Sequence, residues 1–135
     1  MGRSRTRLAP VFLTLDAGAL IAIERGDPRM IALLDRVAHA STLRFALPVN
    51  VLAQVWRDGS RQAVLARFLG LPDVEVVVMD EPGARAAGVL CGMSRTHDVV
   101  DASVVLCARE RGGAILTSDP DDLRRIDTSV AVIPI

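Results

Sequence analysis

The sequence feature that most constrains the fold is residues 97–123, because this segment specifies several consecutive elements. Apolar residues at helical spacing between Val99 and Ala108 predict a helix that begins after Asp98 and ends at Gly112. The run Ala114–Leu116 is short and apolar, which is typical of a buried strand. A helix followed directly by a buried strand indicates an α/β protein with a parallel sheet.

Two aspartates occupy defined positions in this segment. Asp101 lies in the first turn of the predicted helix, and Asp119 follows the predicted strand. Pro120, a favoured first residue of a helix, comes directly after Asp119. Because sites in open parallel sheets are built at the carboxyl ends of strands, we expect these two carboxylates to lie near each other.

The beginning of the chain repeats this arrangement. Val11–Leu15 reads VFLTL, a short apolar strand, and Asp16 follows it directly. A helical run from Ala19 to Arg25 comes next. Asp16 is therefore a third carboxylate at the point where a buried strand gives way to a helix.

Strands and helices alternate through the whole chain, which predicts a three-layer α/β/α sandwich with a mainly parallel central sheet. We expect a basic and flexible N-terminal tail at residues 1–10 and a single domain at residues 11–135. The predicted strands are 11–15, 43–47, 74–79, 114–116 and 130–133, and the predicted helices are 19–25, one from Pro28, 48–56, 62–71, 81–96, 99–111 and one from Pro120.

The composition limits the kinds of core and binding site that the protein can have. Half of the residues are apolar and only 3% are aromatic, so the core must be aliphatic. The formal charge is zero, so no global basic field attracts nucleic acid, and any site for a polyanion must be local. Cys91 and Cys107 lack metal-ligand spacing and are expected to be buried, reduced thiols. No signal peptide or membrane-spanning run is seen, so the expected location is the cytoplasm, without membrane contact.

Three carboxylates brought together would repel one another. At about 4 Å and an effective dielectric constant near 20, a like-charged pair costs on the order of 4 kcal/mol. A divalent cation would offset this repulsion, and oxygen ligands select Mg²⁺ or Mn²⁺. The pattern favours metal-assisted hydrolysis of a phosphodiester. The alternative is that the aspartates are ordinary helix caps, and this applies most directly to Asp98.

The sequence resembles the PIN-domain family, in particular the VapC-like toxins of bacterial toxin-antitoxin pairs. The resemblance is carried by LDAGALIA at residues 15–22, LPVNVLAQVWR at residues 47–57 and DVVDASVVLCARERGGAILTSDPDDL at residues 98–123. It implies a sheet flanked by helices and a cluster of acids that binds Mg²⁺ or Mn²⁺ for RNA cleavage. It also implies a cognate VapB-like antitoxin and a homodimer.

The resemblance assigns roles residue by residue. Asp16 matches the first acid of the family, Asp101 the acid on a helix, and Asp119 the acid after the fourth strand. These three would bind the metal, with Asp98 as a further candidate. Thr117 matches the hydroxyl residue that helps to hold the site.

The chain departs from the family pattern at Gln54, where the family usually has Glu. An amide oxygen can accept a hydrogen bond, but it carries no charge and cannot act as a base. We therefore expect weaker metal binding or an altered pH dependence, with Asp98 as possible electrostatic compensation. The competing hypothesis is a catalytically impaired PIN-fold module that binds RNA or the antitoxin.

Several other residues allow two interpretations. Arg57 and Arg61 could hold RNA phosphates or form surface ion pairs, for example with Asp58. Trp56 could be an interface or core anchor, or it could stack on an RNA base. A group of apolar residues in the first two helices could form a dimer patch or belong to the core: Leu20, Ile21, Ile23 and Met30.

Aspartate-phosphorylating enzymes share this architecture but are excluded by the residues present. A receiver domain needs a lysine, and all 16 basic residues of this chain are arginine. A haloacid-dehalogenase-like phosphatase needs a second Asp two residues after the first, where this chain has Gly18.

Overall fold

The computed structural model describes residues 9–135, so the predicted tail at residues 1–10 lies almost entirely outside the described residues. Residues 9–135 form five strands and seven helices that alternate for most of their length. In chain order these are β1 (Val11–Leu15), α1 (Ala17–Glu24), α2 (Pro28–His39), β2 (Leu43–Pro48), α3 (Val49–Val55), α4 (Ala63–Leu69), β3 (Val74–Val77), α5 (Glu81–Ser94), α6 (Val99–Arg111), β4 (Ile115–Thr117), α7 (Pro120–Ile126) and β5 (Val132–Pro134).

The five strands form one sheet in the order β3-β2-β1-β4-β5, and every neighbouring pair is parallel. The predicted α/β fold with a mainly parallel sheet is therefore confirmed. β1 and β4 are neighbours, with Thr14 opposite Ile115 and Leu15 opposite Leu116. This register places the residues that follow the two strands side by side, and Asp16 N–H donates to Leu116 O at 3.2 Å.

The core is aliphatic, as the composition predicts. Leu15, Leu47 and Leu116 in the sheet are at most 1% exposed, and burying a leucine side chain contributes about 1.5–3 kcal/mol. Leu20, Ile23 and Met30 are also buried in the monomer. These three therefore belong to the core, and Ile21 is half-buried and packs against it.

The connection between α6 and β4 depends on two glycines. Gly112 has φ 73° and Gly113 has φ 81°, a conformation that side chains other than hydrogen strongly disfavour. A Cβ at Gly113 would also overlap the carbonyl oxygen of Phe12 in β1. This close approach fixes the end of α6 against the sheet, and thereby the position of α6 relative to β1 and β4.

The boundaries of the elements differ from the prediction by a few residues. β3 ends at Val77 and not at Met79, and Val78 is 78% exposed, because β3 pairs only with β2 and is an edge strand. β5 begins at Val132 and not at Val130. Within residues 9–135 no helix is long and apolar enough to cross a membrane. Cys91 and Cys107 are buried free thiols, as predicted.

Candidate active site

Asp16 is the most buried carboxylate of the site, with a residue exposure of 7%. It is the N-cap of α1, and its Oδ1 accepts a hydrogen bond from Ala19 N–H at 2.9 Å. Burial raises the pKa of the Asp16 carboxyl, while hydrogen bonds from Thr117 and Ala19 lower it, and the burial effect is larger. The charge of Asp119 raises the pKa further.

Asp119 lies beside Asp16, and Thr117 links the two. Thr117 is completely buried at the end of β4, and its hydroxyl accepts a hydrogen bond from Asp119 N–H at 2.8 Å. Asp119 is the N-cap of α7, but its side chain makes no capping hydrogen bond. The Thr117 hydroxyl thus orients the turn, while the Asp119 carboxylate is not used to cap α7.

Asp98 and Asp101 form a second pair at the start of α6. Asp98 caps the helix by accepting from Asp101 N–H at 2.9 Å, so it is a structural cap, as the alternative interpretation predicts. Burial is the largest factor that raises the pKa of Asp101 to about 7, and the charge of Asp98 is the second. Asp122 and Asp16 raise it further, which brings Asp101 into the same electrostatic field as Asp16.

Asp122 in the first turn of α7 completes the group. A hydrogen bond with Asp119 and the charge of Asp119 raise the pKa of the Asp122 carboxyl. Arg125 lies nearby, with its Nη1 3.2 Å from Asp122 Oδ1. We call the group of mutually interacting carboxylates the acidic rim: Asp16, Asp98, Asp101, Asp119 and Asp122.

The acidic rim is suited to a divalent cation by its donor chemistry. Among residues 9–135, however, no group of three or more His, Cys, Asp or Glu side chains is arranged so that it could hold a metal ion. Mg²⁺ commonly takes only one or two protein carboxylates and completes its shell with water and substrate phosphate. The raised pKa values of Asp16 and Asp101 also show that extra negative charge is unfavourable here. Direct ligation by Asp16, Asp101 and Asp119 stays a prediction.

Gln54 lies on the exposed side of α3. It lines a groove together with Ile21, Arg25 and Arg57. The effect of an amide at this position stays a prediction.

The two arginines proposed for RNA contact differ in their partners. Arg57 Nη1 donates to Trp56 O at 2.7 Å and to Ala53 O at 3.3 Å. Arg61 forms an exposed ion pair with Asp58 at 3.8 Å, which is the alternative that the sequence left open. Exposed pairs of this kind contribute little to stability.

Gln62 was not predicted to matter, yet it is buried and uses its full hydrogen-bonding capacity. Its Oε1 accepts from Arg57 N–H at 2.8 Å and from Asp58 N–H at 3.0 Å, and its Nε2 donates to Val55 O at 3.1 Å and to Glu24 Oε1 at 3.0 Å. Gln62 thus ties the end of α3 to α1. No local pattern in the sequence indicates this, because the partners belong to two separate segments, α1 and the end of α3 with the loop that follows it.

Comparison with known proteins identifies the family of this chain. The family model for the PIN domain matches residues 13–129. The chain belongs to the PIN domain family. The family resemblance seen in the sequence is therefore confirmed, and no curated protein sequence is a significant match.

Solved structures share the fold at low sequence identity. The structure of VapBC2 from Rickettsia felis, bound to a DNA fragment from its promoter, is 15% identical, with a TM-score of 0.71 over 93% of this chain and 99% of that chain. The structure of FitAcB from Neisseria gonorrhoeae is 22% identical, with a TM-score of 0.61 over 90% of this chain and 96% of that chain. At these identities, the likeness shows a common fold.

Proposed function

We propose that this PIN domain is a Mg²⁺- or Mn²⁺-dependent endoribonuclease, the toxin of a VapBC-type toxin-antitoxin pair. The observation that carries the proposal is the acidic rim, in which carboxylates from three helix starts share one electrostatic field. PIN domains are generally nucleases and typically use divalent metal ions. The structural neighbours are VapBC and FitAB proteins, which supports an antitoxin partner.

The chain's own residues have distinct tasks in this proposal. Asp16, Asp101 and Asp119 would hold the cation. When bound, the cation supplies charge neutralisation and an activated water for hydrolysis of the phosphodiester. Asp101, whose pKa is about 7, holds a proton part of the time at neutral pH, so protons and cations compete for its carboxylate. Thr117 keeps Asp119 in place through the 2.8 Å hydrogen bond to the Asp119 backbone.

The direct test is cleavage of total RNA by the purified protein in the presence of Mn²⁺ or Mg²⁺. We expect the wild type to cleave and Asp101→Asn to lose at least about a hundredfold in rate, since a group acting in the transition state is worth several kcal/mol. Asp35→Asn is the matched control, because Asp35 is 74% exposed on α2 and the charge change is the same. Equal cleavage by Asp101→Asn and Asp35→Asn would contradict the proposal.

The second candidate is a PIN-fold module that binds RNA or the antitoxin without efficient cleavage. Gln54 favours it, because the family usually has a carboxylate at this position. Titration with Mn²⁺ followed by calorimetry separates the two. A competent nuclease binds the ion, and Asp16→Asn abolishes both the binding and the cleavage. An impaired module binds RNA but shows neither effect.

A further inference from the structure

Two grooves run along the exposed side of α1. The first has a volume of about 340 Å³ and begins between Gly18 and Ser118. The second, of about 420 Å³, reaches Gln54 and Arg57 on α3. Ile21 and Arg25 line both grooves, so the two grooves are adjacent. We call this pair of grooves the α1 channel.

The spacing along α1 explains why these side chains share one face. Gly18, Ile21, Ala22 and Arg25 lie at positions i, i+3, i+4 and i+7, which fall on one side of a helix. The buried residues of α1 point the other way, into the core. The α1 channel therefore follows the outer face of the helix from its first turn to its end.

One end of the α1 channel is lined by Gly18 and Ser118, which neighbour acids of the rim in the sequence. A Cβ at Gly18 would overlap the Ser118 side chain, so glycine is what allows α1 and the turn after β4 to approach each other. Gly18 is two residues from Asp16, and Ser118 directly precedes Asp119. A strand that lies in the channel therefore contacts residues that are one position from Asp119 and two positions from Asp16 in the sequence.

The other end of the channel is cationic. Arg25 ends α1, and its backbone N–H donates to Ile21 O at 2.9 Å, which fixes where its side chain begins. Its guanidinium is exposed and forms no ion pair within residues 9–135. The same is true of Arg57, whose partners in that range are main-chain carbonyl oxygens.

The two acids that line the channel are engaged elsewhere. Glu24 Oε1 accepts a hydrogen bond from Gln62 Nε2 at 3.0 Å, and Asp27 accepts from Arg29 N–H at 2.9 Å, with the Arg29 guanidinium 3.6 Å away. Within residues 9–135, Arg25 and Arg57 therefore form no direct ion pair with either acid, although Glu24 keeps its charge.

From this arrangement we infer that Arg25 and Arg57 bind backbone phosphates of a single RNA strand that runs along the α1 channel into the acidic rim. The inference rests on the proposed function and adds Arg25, which the sequence did not suggest. A polyanion is repelled by the acidic rim and the chain has no net charge, so attraction must come from cations beside the rim. Guanidinium groups suit this role because they can bind phosphate with two hydrogen bonds.

The test measures binding without cleavage. A fluorescent oligoribonucleotide is titrated in EDTA, which removes the divalent cation that the proposed cleavage needs, and anisotropy is followed between about 50 and 200 mM salt. Each phosphate contact to a single strand contributes about 0.7 to the slope of log affinity against log salt concentration. We expect Arg25→Gln and Arg57→Gln each to reduce the slope by about that amount and the double variant to reduce it by about twice as much.

Arg85→Gln is the matched control. Arg85 is 78% exposed on α5, is paired with Glu81 at 3.7 Å, and does not line the channel, but its loss changes the net charge by the same amount. Arg25→Lys should restore most of the slope, because it restores the charge. Thermal unfolding of each variant shows whether the protein is folded. The inference is wrong if folded Arg25→Gln has the same slope as Arg85→Gln.

The experiment distinguishes failure of this inference from failure of the proposed function. RNA binding through Arg25 in a protein that cleaves no RNA would contradict the nuclease and support this inference. RNA cleavage that depends on Asp101, with a salt slope that does not change in Arg25→Gln or Arg57→Gln, would support the nuclease and contradict this inference. Loss of affinity for an acidic peptide alone would assign Arg25 to a protein partner and also overturn the inference.

Discussion

The molecule contains two kinds of carboxylate region that behave in opposite ways. In the acidic rim, burial and neighbouring acids raise the pKa of Asp16 and Asp101. Asp127 lies at the C-terminal end of α7. Its carboxylate accepts hydrogen bonds from Ser129 N–H at 2.8 Å and from the Ser129 hydroxyl at 2.6 Å, and Arg109 Nε lies 2.7 Å away. These contacts lower the pKa of Asp127 to about 2.

Glu75 on β3 is similar to Asp127, because contact with an arginine also lowers its pKa. Arg111 donates to its carboxylate at 2.6 Å, which lowers the pKa of Glu75, and the Arg111 guanidinium also lies 5.8 Å from the centre of the Phe12 ring. The comparison teaches that this fold pairs its structural acids with arginine or hydroxyl donors. Among the described residues, Asp16 and Asp101 in the rim form no ion pair with arginine, although this costs stability, and such groups are candidates for function.

The largest expected effect is stabilisation of the acidic rim by a cation. Mn²⁺ at about a hundred times its dissociation constant should raise the free energy of unfolding by about 2.7 kcal/mol, because the ion binds only the folded state. Differential scanning calorimetry should show this as a rise of several degrees in the Tm of the wild type. Asp101→Asn should lose the rise and Asp127→Asn should keep it. A cation effect of equal size in both variants would mean that the rim is not the binding site.

A smaller effect on stability is expected for Asp127, whose carboxylate is paired with Arg109. Asp127→Asn removes a charged acceptor of three hydrogen bonds, so we expect it to lower the free energy of unfolding by about 1–2 kcal/mol at pH 7. Urea denaturation measures this. In EDTA at pH 8, Asp101→Asn should have the opposite effect and raise the free energy of unfolding. If both variants were destabilised equally, the distinction between the two regions would not hold.

The pH dependence of stability sharpens the same distinction. The pKa of Asp101 is about 7 in the folded protein and near 3.8 when unfolded, so the folded state retains a proton between these values. Raising the pH through this window in EDTA should therefore lower the free energy of unfolding, by on the order of 1 kcal/mol because the carboxyl is partly solvated. Asp16 acts in the same direction.

Asp101→Asn is the variant that isolates this contribution. Its free energy of unfolding should change less between pH 5 and pH 8 than that of the wild type. Asp127 contributes stability that is lost only as the pH falls toward 2, so Asp127→Asn should keep the wild-type slope in this range. An identical slope in wild type and Asp101→Asn would show that the Asp101 carboxyl is not the group that titrates.

The smallest expected effect concerns Gln54. Gln54→Glu adds a charge on the exposed side of α3, near the α1 channel, and should raise Mn²⁺ affinity by less than about tenfold, or about 1.4 kcal/mol. Isothermal titration calorimetry and RNA cleavage both report on it. If neither changes, the amide at this position carries no cost.

Much of the fold could be predicted because the local signals agree with the tertiary structure. Asp27, Asp98 and Gly112 mark helix ends in the sequence and serve as caps in the structure. The short strands β1 and β4 were recognisable from their apolar runs. Strand order follows from long-range pairing, which local pattern does not encode, and the edge strands β3 and β5 were predicted least accurately.

The site could be predicted only in part. Asp16, Asp101 and Asp119 stand out because each follows or opens a regular element. Their mutual electrostatics could be expected, but the degree of burial that raises the Asp101 pKa depends on packing across α6 and α7. Arg25 and Gln62 had no signal, because their roles come from contacts between segments that are distant in the sequence.

The contact of Gly113 with the Phe12 carbonyl has a consequence for biosynthesis. β1 leaves the ribosome well before its neighbour β4 and the aspartates beyond it. The acidic rim therefore cannot assemble on a nascent chain until Asp119 and Asp122 have been synthesised. If the protein attacks RNA, the order of synthesis itself delays that activity until β4 and α7 have emerged.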